Sequence, residues 1–361
     1  MFDRFLETER FGSLDGLRAF SILAVLWHHS GLPRHGLPIL ERGQTGVYLF
    51  FAISGFLITS LLIRERRRTG TISMRGFYIR RSLRIFPLYY AVLLAYVLLV
   101  SLFERGEAGQ QFFTHLPFFA TYTSNWFVPI NDEGRTIFYF AWSLATEEQF
   151  YLAWPWIERY VKPAVRRIIL GAVIAVVAAV HFGFTPVPAD SLAHTMLWSI
   201  APPILFGVAV AHILHTRRGF SFFWSLLGHR WSAPFAAAIV LGLLTLPHLA
   251  HPMLHNYAIY LMLTVLVVAC VIREDNGLSG MLKLPPLVRL GVVSYGVYLM
   301  HMLCFNAVRR VGPMLGLDNA FVLWVLGIAI VYVVAEISFA TFERFFQSLR
   351  PRSRPTTGAL A

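Results

Sequence analysis

Arg18 and His29 stand eleven residues apart in a stretch that is otherwise largely apolar, Ser13-Leu-Asp-Gly-Leu-Arg-Ala-Phe-Ser-Ile-Leu-Ala-Val-Leu-Trp-His-His29. In a helix that spacing is three turns plus roughly 20°, so both side chains leave one face about 16 Å apart along the axis. His28 points roughly 80° away. Guanidinium groups bind anions, and a neutral imidazole is suited to taking up a proton, so the two residues offer different chemistry at two depths of one element. Asp15 shares the same helix. A second group lies in Trp142-Ser-Leu-Ala-Thr-Glu-Glu-Gln-Phe-Tyr151, where Glu147 and Glu148 are adjacent, face different directions and cannot form a paired dyad. Ser143 lies one turn before Glu147. A third is Ser294-Tyr-Gly-Val-Tyr-Leu-Met-His301, whose Ser294, Tyr298 and His301 share a face through i, i+4, i+7 spacing. A fourth is Phe77-Tyr-Ile-Arg-Arg-Ser-Leu-Arg-Ile-Phe-Pro87. There Arg80, Arg81 and Arg84 can present a fork to one phosphate-like anion.

The elements that carry these groups must be membrane spans. The chain of 361 residues is 57% hydrophobic and 14% charged, with mean hydropathy +0.60, too little polar residue to cover a soluble protein of this size. Spans of about 20 apolar residues are expected near 13–33, 44–63, 82–103, 138–158, 167–186, 193–214, 232–250, 256–272, 288–308 and 319–342. The fold class expected is therefore all-α, a polytopic transmembrane bundle of about ten spans. The apolar stretch 111–123 is too short and reads as an interfacial or re-entrant piece.

Basic residues collect on the cytoplasmic side of membrane proteins. With both termini inside, the outer loops hold only Arg34, Arg42, Arg105, Arg135, Arg309 and Arg310. Arg18 lies within the first span, which leaves 24 of the 31 Lys and Arg on the inner side. The net charge of +12 follows from that bias and from anionic lipid headgroups, so no nucleic-acid partner is expected. Cys270 and Cys304 fall in apolar spans without CxxC or metal spacing, and no metal is expected. No secretory signal is evident, because the first apolar run is too long and lacks a cleavage site.

A charged group at bilayer depth costs at least about 2.5–3.5 kcal/mol and so faces a cavity or a partner. Plainer readings exist for each. Arg18 can snorkel to the surface, a histidine can bond a neighbouring carbonyl, the carboxylates can tie helices together, and the arginines can meet lipid phosphate.

Taken together, the motifs resemble the bacterial acyltransferase-3 family, membrane O-acyltransferases that modify glycans. The resemblance runs from Leu14-Asp-Gly-Leu-Arg-Ala19 to about Glu343. It includes the Arg18-to-His29 spacing, Gly46-Val-Tyr-Leu-Phe-Phe-Ala-Ile-Ser-Gly-Phe-Leu57, Arg80-Arg-Ser-Leu-Arg-Ile-Phe-Pro87, Ser124-Asn-Trp126, the Trp142-to-Tyr151 block and Ser294 to His301. It implies an enzyme of the bacterial inner membrane, with one acyltransferase-3-like transmembrane domain over 1–347. The short, basic, Pro-containing composition of the C-terminal end makes 348–361 an expected disordered cytoplasmic tail. The implied reaction moves an acyl group, commonly acetyl, from cytoplasmic acyl-CoA to a hydroxyl of an extracytoplasmic carbohydrate or glycolipid. Acyl-CoA (acetyl-CoA) is then a co-substrate, with no permanently bound cofactor.

The resemblance makes His29 the catalytic residue and matches Arg18, Arg81 and Arg84 to the family's functional arginines. Glu147 could orient the His29 ring, and Arg80, Arg81 and Arg84 would bind the CoA phosphates. Asp15, Ser143, Tyr298 and His301 are secondary candidates, Ser143 as a possible acyl carrier. Three departures stand out. Phe140 occupies a position where many relatives have histidine, Glu343-Arg-Phe345 replaces a terminal Glu-Arg-Pro, and no esterase-like domain is fused. A transporter of a small anionic solute is the competing reading, since Pro202-Pro203 breaks the sixth expected span. Against it, the two halves show no repeat.

Overall fold

Helices make up the architecture, and no strand occurs among the described residues. The computed structural model describes residues 1–8, 10–33, 37–129, 136–247 and 251–350. Arg34, Arg135 and the part of the expected tail beyond Arg350 lie outside them. Six helices are long and apolar enough to cross a membrane: Thr45–Thr69, Met74–Phe103, Pro163–His181, Pro252–Ile272, Pro285–Leu315 and Ala320–Ser348. Counting two bent pairs as single spans makes eight. Two further expected spans are helical but fall short of that standard. Gly12–His28 has 17 residues and carries Asp15 and Arg18, and Ala141–Tyr160 carries Glu147, Glu148 and Glu158. The chain is a multi-pass helical membrane protein, and its two polar helices hold Asp15 and Arg18, and Ser143 and Glu147, respectively.

Local chemistry sets the helix ends. Gly70 adopts a left-handed φ of 76° that closes Thr45–Thr69, a conformation that favours glycine. Three residues later, the Ser73 hydroxyl accepts from the Gly76 amide and starts the Met74–Phe103 helix. Residues 107–120 form a 14-residue helix, about 21 Å long, too short to span. Tyr89 and Tyr90 donate their hydroxyls to Phe119 O and Ala120 O at its end. The expected break at Pro202-Pro203 is present: Leu192–Trp198 and Pro202–Leu214 meet at 52°.

Packing separates inner spans from outer ones. The Thr45–Thr69 and Pro252–Ile272 windows are each 67% buried, against 22% for Pro163–His181 and for the last span. The outer helices expose Leu94, Leu98, Leu102, Val333 and Ile337, as lipid-facing surfaces do. Backbones meet where side chains are absent. A Cβ on Gly55 would lie 2.1 Å from Ile204 O, and one on Gly291 would lie 1.9 Å from Asp15 O. The second contact presses the Gly12–His28 and Pro285–Val311 helices together, which brings their histidines within reach of each other.

Much of the arginine content is structural. Glu158, fully buried, lies 2.8 Å from Arg166 Nη1, 3.4 Å from Arg66 Nη1 and 3.2 Å from His212 Nε2, tying four helices at one end of the bundle. Arg64 donates to Phe5 O and Thr8 O, and Arg67 to His215 O.

Candidate functional site

His29 closes the Gly12–His28 helix at its C-terminal cap and is half-buried. Its Nδ1 lies 2.9 Å from Val25 O and 3.2 Å from Nε2 of His301. His301, fully buried, turns its own Nδ1 toward Tyr298 O. These contacts assign the tautomers. His301 donates from Nδ1 to Tyr298 O, so its Nε2 carries a lone pair. His29 Nδ1–H is then shared between Val25 O and that lone pair, which makes Nε2 the basic nitrogen of His29. The helix end is held from several sides. Arg309 Nη2 donates to His29 O (2.8 Å) and Ser30 O (2.7 Å), Trp324 Nε1 to Leu26 O (3.2 Å) and Trp27 Nε1 to Leu40 O (2.9 Å). Unpaired carbonyls at a helix C-terminus accept such donors readily.

The ring wall is aromatic. Tyr139 lies 5.7 Å from His29 and Phe140 5.3 Å from His301, centroid to centroid. Phe140 thus packs apolar area against His301. Its carbonyl accepts at 3.1 Å from Tyr298 OH and from Ser143 Oγ, which lie 2.6 Å from each other. Ser143 and Tyr298 are buried, and this triangle joins the Ala141–Tyr160 helix to Pro285–Val311 beside the histidines.

At the other end, Arg18 lies 3.3 Å from Asp15, whose other oxygen takes Arg10 at 2.6 Å. Arg84, Arg81 and Tyr151 are the further groups in its electrostatic field. The Arg81 guanidinium sits over the Tyr151 ring at 5.0 Å, with Arg84, Glu147 and Glu148 near it. Among the described residues neither Arg81 nor Arg84 hydrogen-bonds through its side chain to a protein group, in contrast to Arg64, Arg66 and Arg67. Arg80 does not join them: it is exposed and pairs with Glu65 at 3.4 Å. Arg80 is about 100° of helix rotation away from Arg81, which lets it reach outward to Glu65 while Arg81 turns to Tyr151.

Glu147 belongs to this end as well. Its carboxylate accepts from Ser54 Oγ and Tyr151 OH. The contacts expected of it at the His29 ring are made instead by Val25 O and His301. The reason is depth along the helix: Glu147 is one turn beyond Ser143, and Ser143 already meets Tyr298 below the histidines. The Tyr151–Glu147–Ser54 group therefore stands between the arginines and the Ser143–Tyr298–His301–His29 group, making a polar column through an apolar bundle.

Several residues in this arrangement were not singled out by sequence reasoning. Ser54 and Tyr151 look like ordinary helix residues, and Arg309 like an outer-loop charge. The Ser124-Asn-Trp126 motif also gains a physical role. Asn125 Nδ2 donates to Ser199 Oγ (3.2 Å) and Gln149 Oε1 (3.0 Å), and Trp126 Nε1 to Ser199 Oγ (3.0 Å). Ser199 is in the break before Pro202, so the motif staples the bent span. A cavity of about 360 Å³ is lined mainly by apolar residues such as Tyr96, Leu99, Phe103 and Leu303, with Glu104, Asn306 and Arg310 at its wall.

A family profile described as an acyltransferase domain matches residues 11–339. Peptidoglycan O-acetyltransferase OatA of Listeria monocytogenes is 26% identical over 92% of this chain and 55% of its own length. A Bacillus subtilis protein named "Putative peptidoglycan O-acetyltransferase YrhL" is 29% identical over 92% of this chain and 54% of its own. This chain thus spans about half the length of these curated relatives. No solved structure matches it. With the profile covering nearly the whole bundle and every residue of the polar column from Asp15 to His301, the chain belongs to the acyltransferase domain family.

Proposed function

We propose that the protein transfers an acetyl group from cytoplasmic acyl-CoA to a hydroxyl of an extracytoplasmic cell-envelope glycan, with His29 as general base. The observation that carries this is the polar column itself. An arginine cluster with few protein partners stands at one end, an oriented imidazole at the other, and one helix bears Arg18 and His29 at the two depths. The names of the relatives point to a peptidoglycan-type acceptor.

Arg81 and Arg84 take the phosphates of the donor, where planar guanidinium groups can make charge-assisted hydrogen bonds. Arg18 flanks the donor arm as it enters the column, and Asp15 fixes the Arg18 guanidinium. Glu147, held by Ser54 and Tyr151, balances part of the Arg81 charge. The thioester reaches the histidine end. His29 Nε2 takes the acceptor hydroxyl proton as its oxygen bonds the thioester carbon. The C–S bond then breaks, CoA leaves as thiolate, and the proton on His29 can return to it. His301 positions the ring, because its lone pair receives the Nδ1–H that becomes more acidic in the imidazolium. Ser143 and Tyr298 act through His301, and their burial argues for direct transfer over an acyl-serine.

The test is incorporation of labelled acetyl from acetyl-CoA into a glycan fraction by the full-length protein in membranes. Flux of an anionic solute without acyl transfer would overturn the reading in favour of transport.

A further inference from the structure

The last span does not end at the membrane surface as a plain helix. Phe339–Glu343 forms a π-helical turn that runs into the short helix Arg344–Ser348. Such turns rotate the side chains that follow them and recur at functional sites. Here Glu343 turns inward, buried, with Arg84 in its field and Gly296 beside it. The short helix packs against Met74–Phe103, the helix of Arg80, Arg81 and Arg84. Arg344 stays exposed, over the Phe339 ring at 5.7 Å.

Arg350 follows two residues after this helix and behaves unlike Arg344. Its Nε and Nη2 atoms are buried with no hydrogen-bond partner among the described residues. The charged groups around it are Arg84, Arg81 and Arg80, all of its own sign. Burial, and then these charges, hold its guanidinium below the usual arginine range. Two buried, unpartnered N–H-bearing atoms on a half-buried guanidinium, beside three like charges, are costly unless an anion joins them.

We propose that Arg350 is a donor-binding residue, its guanidinium completing with Arg81 and Arg84 a site for a phosphate group. This rests on the acyl-CoA reading above and extends it to a part of the chain eleven residues beyond the family match. The Phe339–Ser348 segment acts as a strap that delivers the third guanidinium to the mouth of the column. A lipid headgroup phosphate is the other source of the same chemistry.

Binding of labelled CoA to the full-length protein in phosphatidylcholine nanodiscs tests this without any acceptor. Arg350→Gln should weaken CoA binding about tenfold, the effect of one charge-assisted hydrogen bond, with Arg350→Lys recovering part of it. Arg344→Gln, which removes the same charge from the neighbouring helix, should bind as the parent does. An unchanged thermal midpoint would show that Arg350→Gln folds. CoA binding by Arg350→Gln equal to the parent would overturn the proposal. So would a loss that appears only when anionic phosphatidylglycerol replaces phosphatidylcholine, since that marks a headgroup contact. A parent protein that binds no CoA would remove the donor reading itself, an outcome distinct from failure of Arg350 alone.

Discussion

The two ends of the polar column solve opposite problems. At the arginine end, Arg18, Arg81, Arg84 and Arg350 lie in one another's electrostatic field with few hydrogen bonds to the protein, the arrangement that the proposed function assigns to a multiply charged donor. At the histidine end, no permanent charge is needed. His29 is held by Val25 O and His301, His301 by Tyr298, and the helix terminus by Arg309 and Trp324. On the proposed function the first end selects by charge. The second depends on orientation, because proton transfer requires one nitrogen in one place. Buried cations are tolerable at the first only when an anion or a cavity faces them, and a neutral imidazole avoids that cost at the second.

The contrast can be broken by mutation, and the largest effect should come from the histidine end. His29→Ala should lower acetyl transfer by between about 10² and 10⁴ while leaving the amount of folded, membrane-inserted protein unchanged. Measured transfer near the parental rate would remove His29 from the chemistry. At the arginine end, Arg81→Ala should raise the donor KM by about ten- to a hundredfold with a smaller change in kcat. Arg81→Lys should do less harm, since charge remains although the fork is lost; equal effects would indicate lipid contact. His301→Ala should lower kcat about tenfold at unchanged donor KM, by analogy with hydrogen-bond partners of other functional imidazoles. A shift in KM instead would place His301 in donor binding.

Two further substitutions probe the frame. Gly291→Ala must part the helices that carry His29 and His301, so a stability loss of about 1–3 kcal/mol and reduced kcat should appear together in melting and turnover assays. Ser199→Ala removes the acceptor shared by Asn125 and Trp126. It should cost about 1 kcal/mol in a thermal melt and leave the donor KM alone, the smallest effect of the five.

Much of this was legible in the amino-acid sequence. Apolar length made the bundle, and helix phase put Arg18 with His29 and Ser294 with Tyr298 and His301, because these relations are local and need only 3.6 residues per turn. The Pro202-Pro203 break was equally local. Partners across helices were decided elsewhere. His29 meets His301 across 272 residues of chain, at a crossing made possible by the absent side chain of Gly291. Glu147 settles with Ser54 and Tyr151, and Arg80 turns out to Glu65 while Arg350 turns in. Periodicity says which face a side chain takes, but only the rotation and close approach of neighbouring helices decide what that face meets. For this protein the sequence by itself determined the kinds of group and which helix face carries each. The tertiary structure decided which of those groups, on different helices, meet.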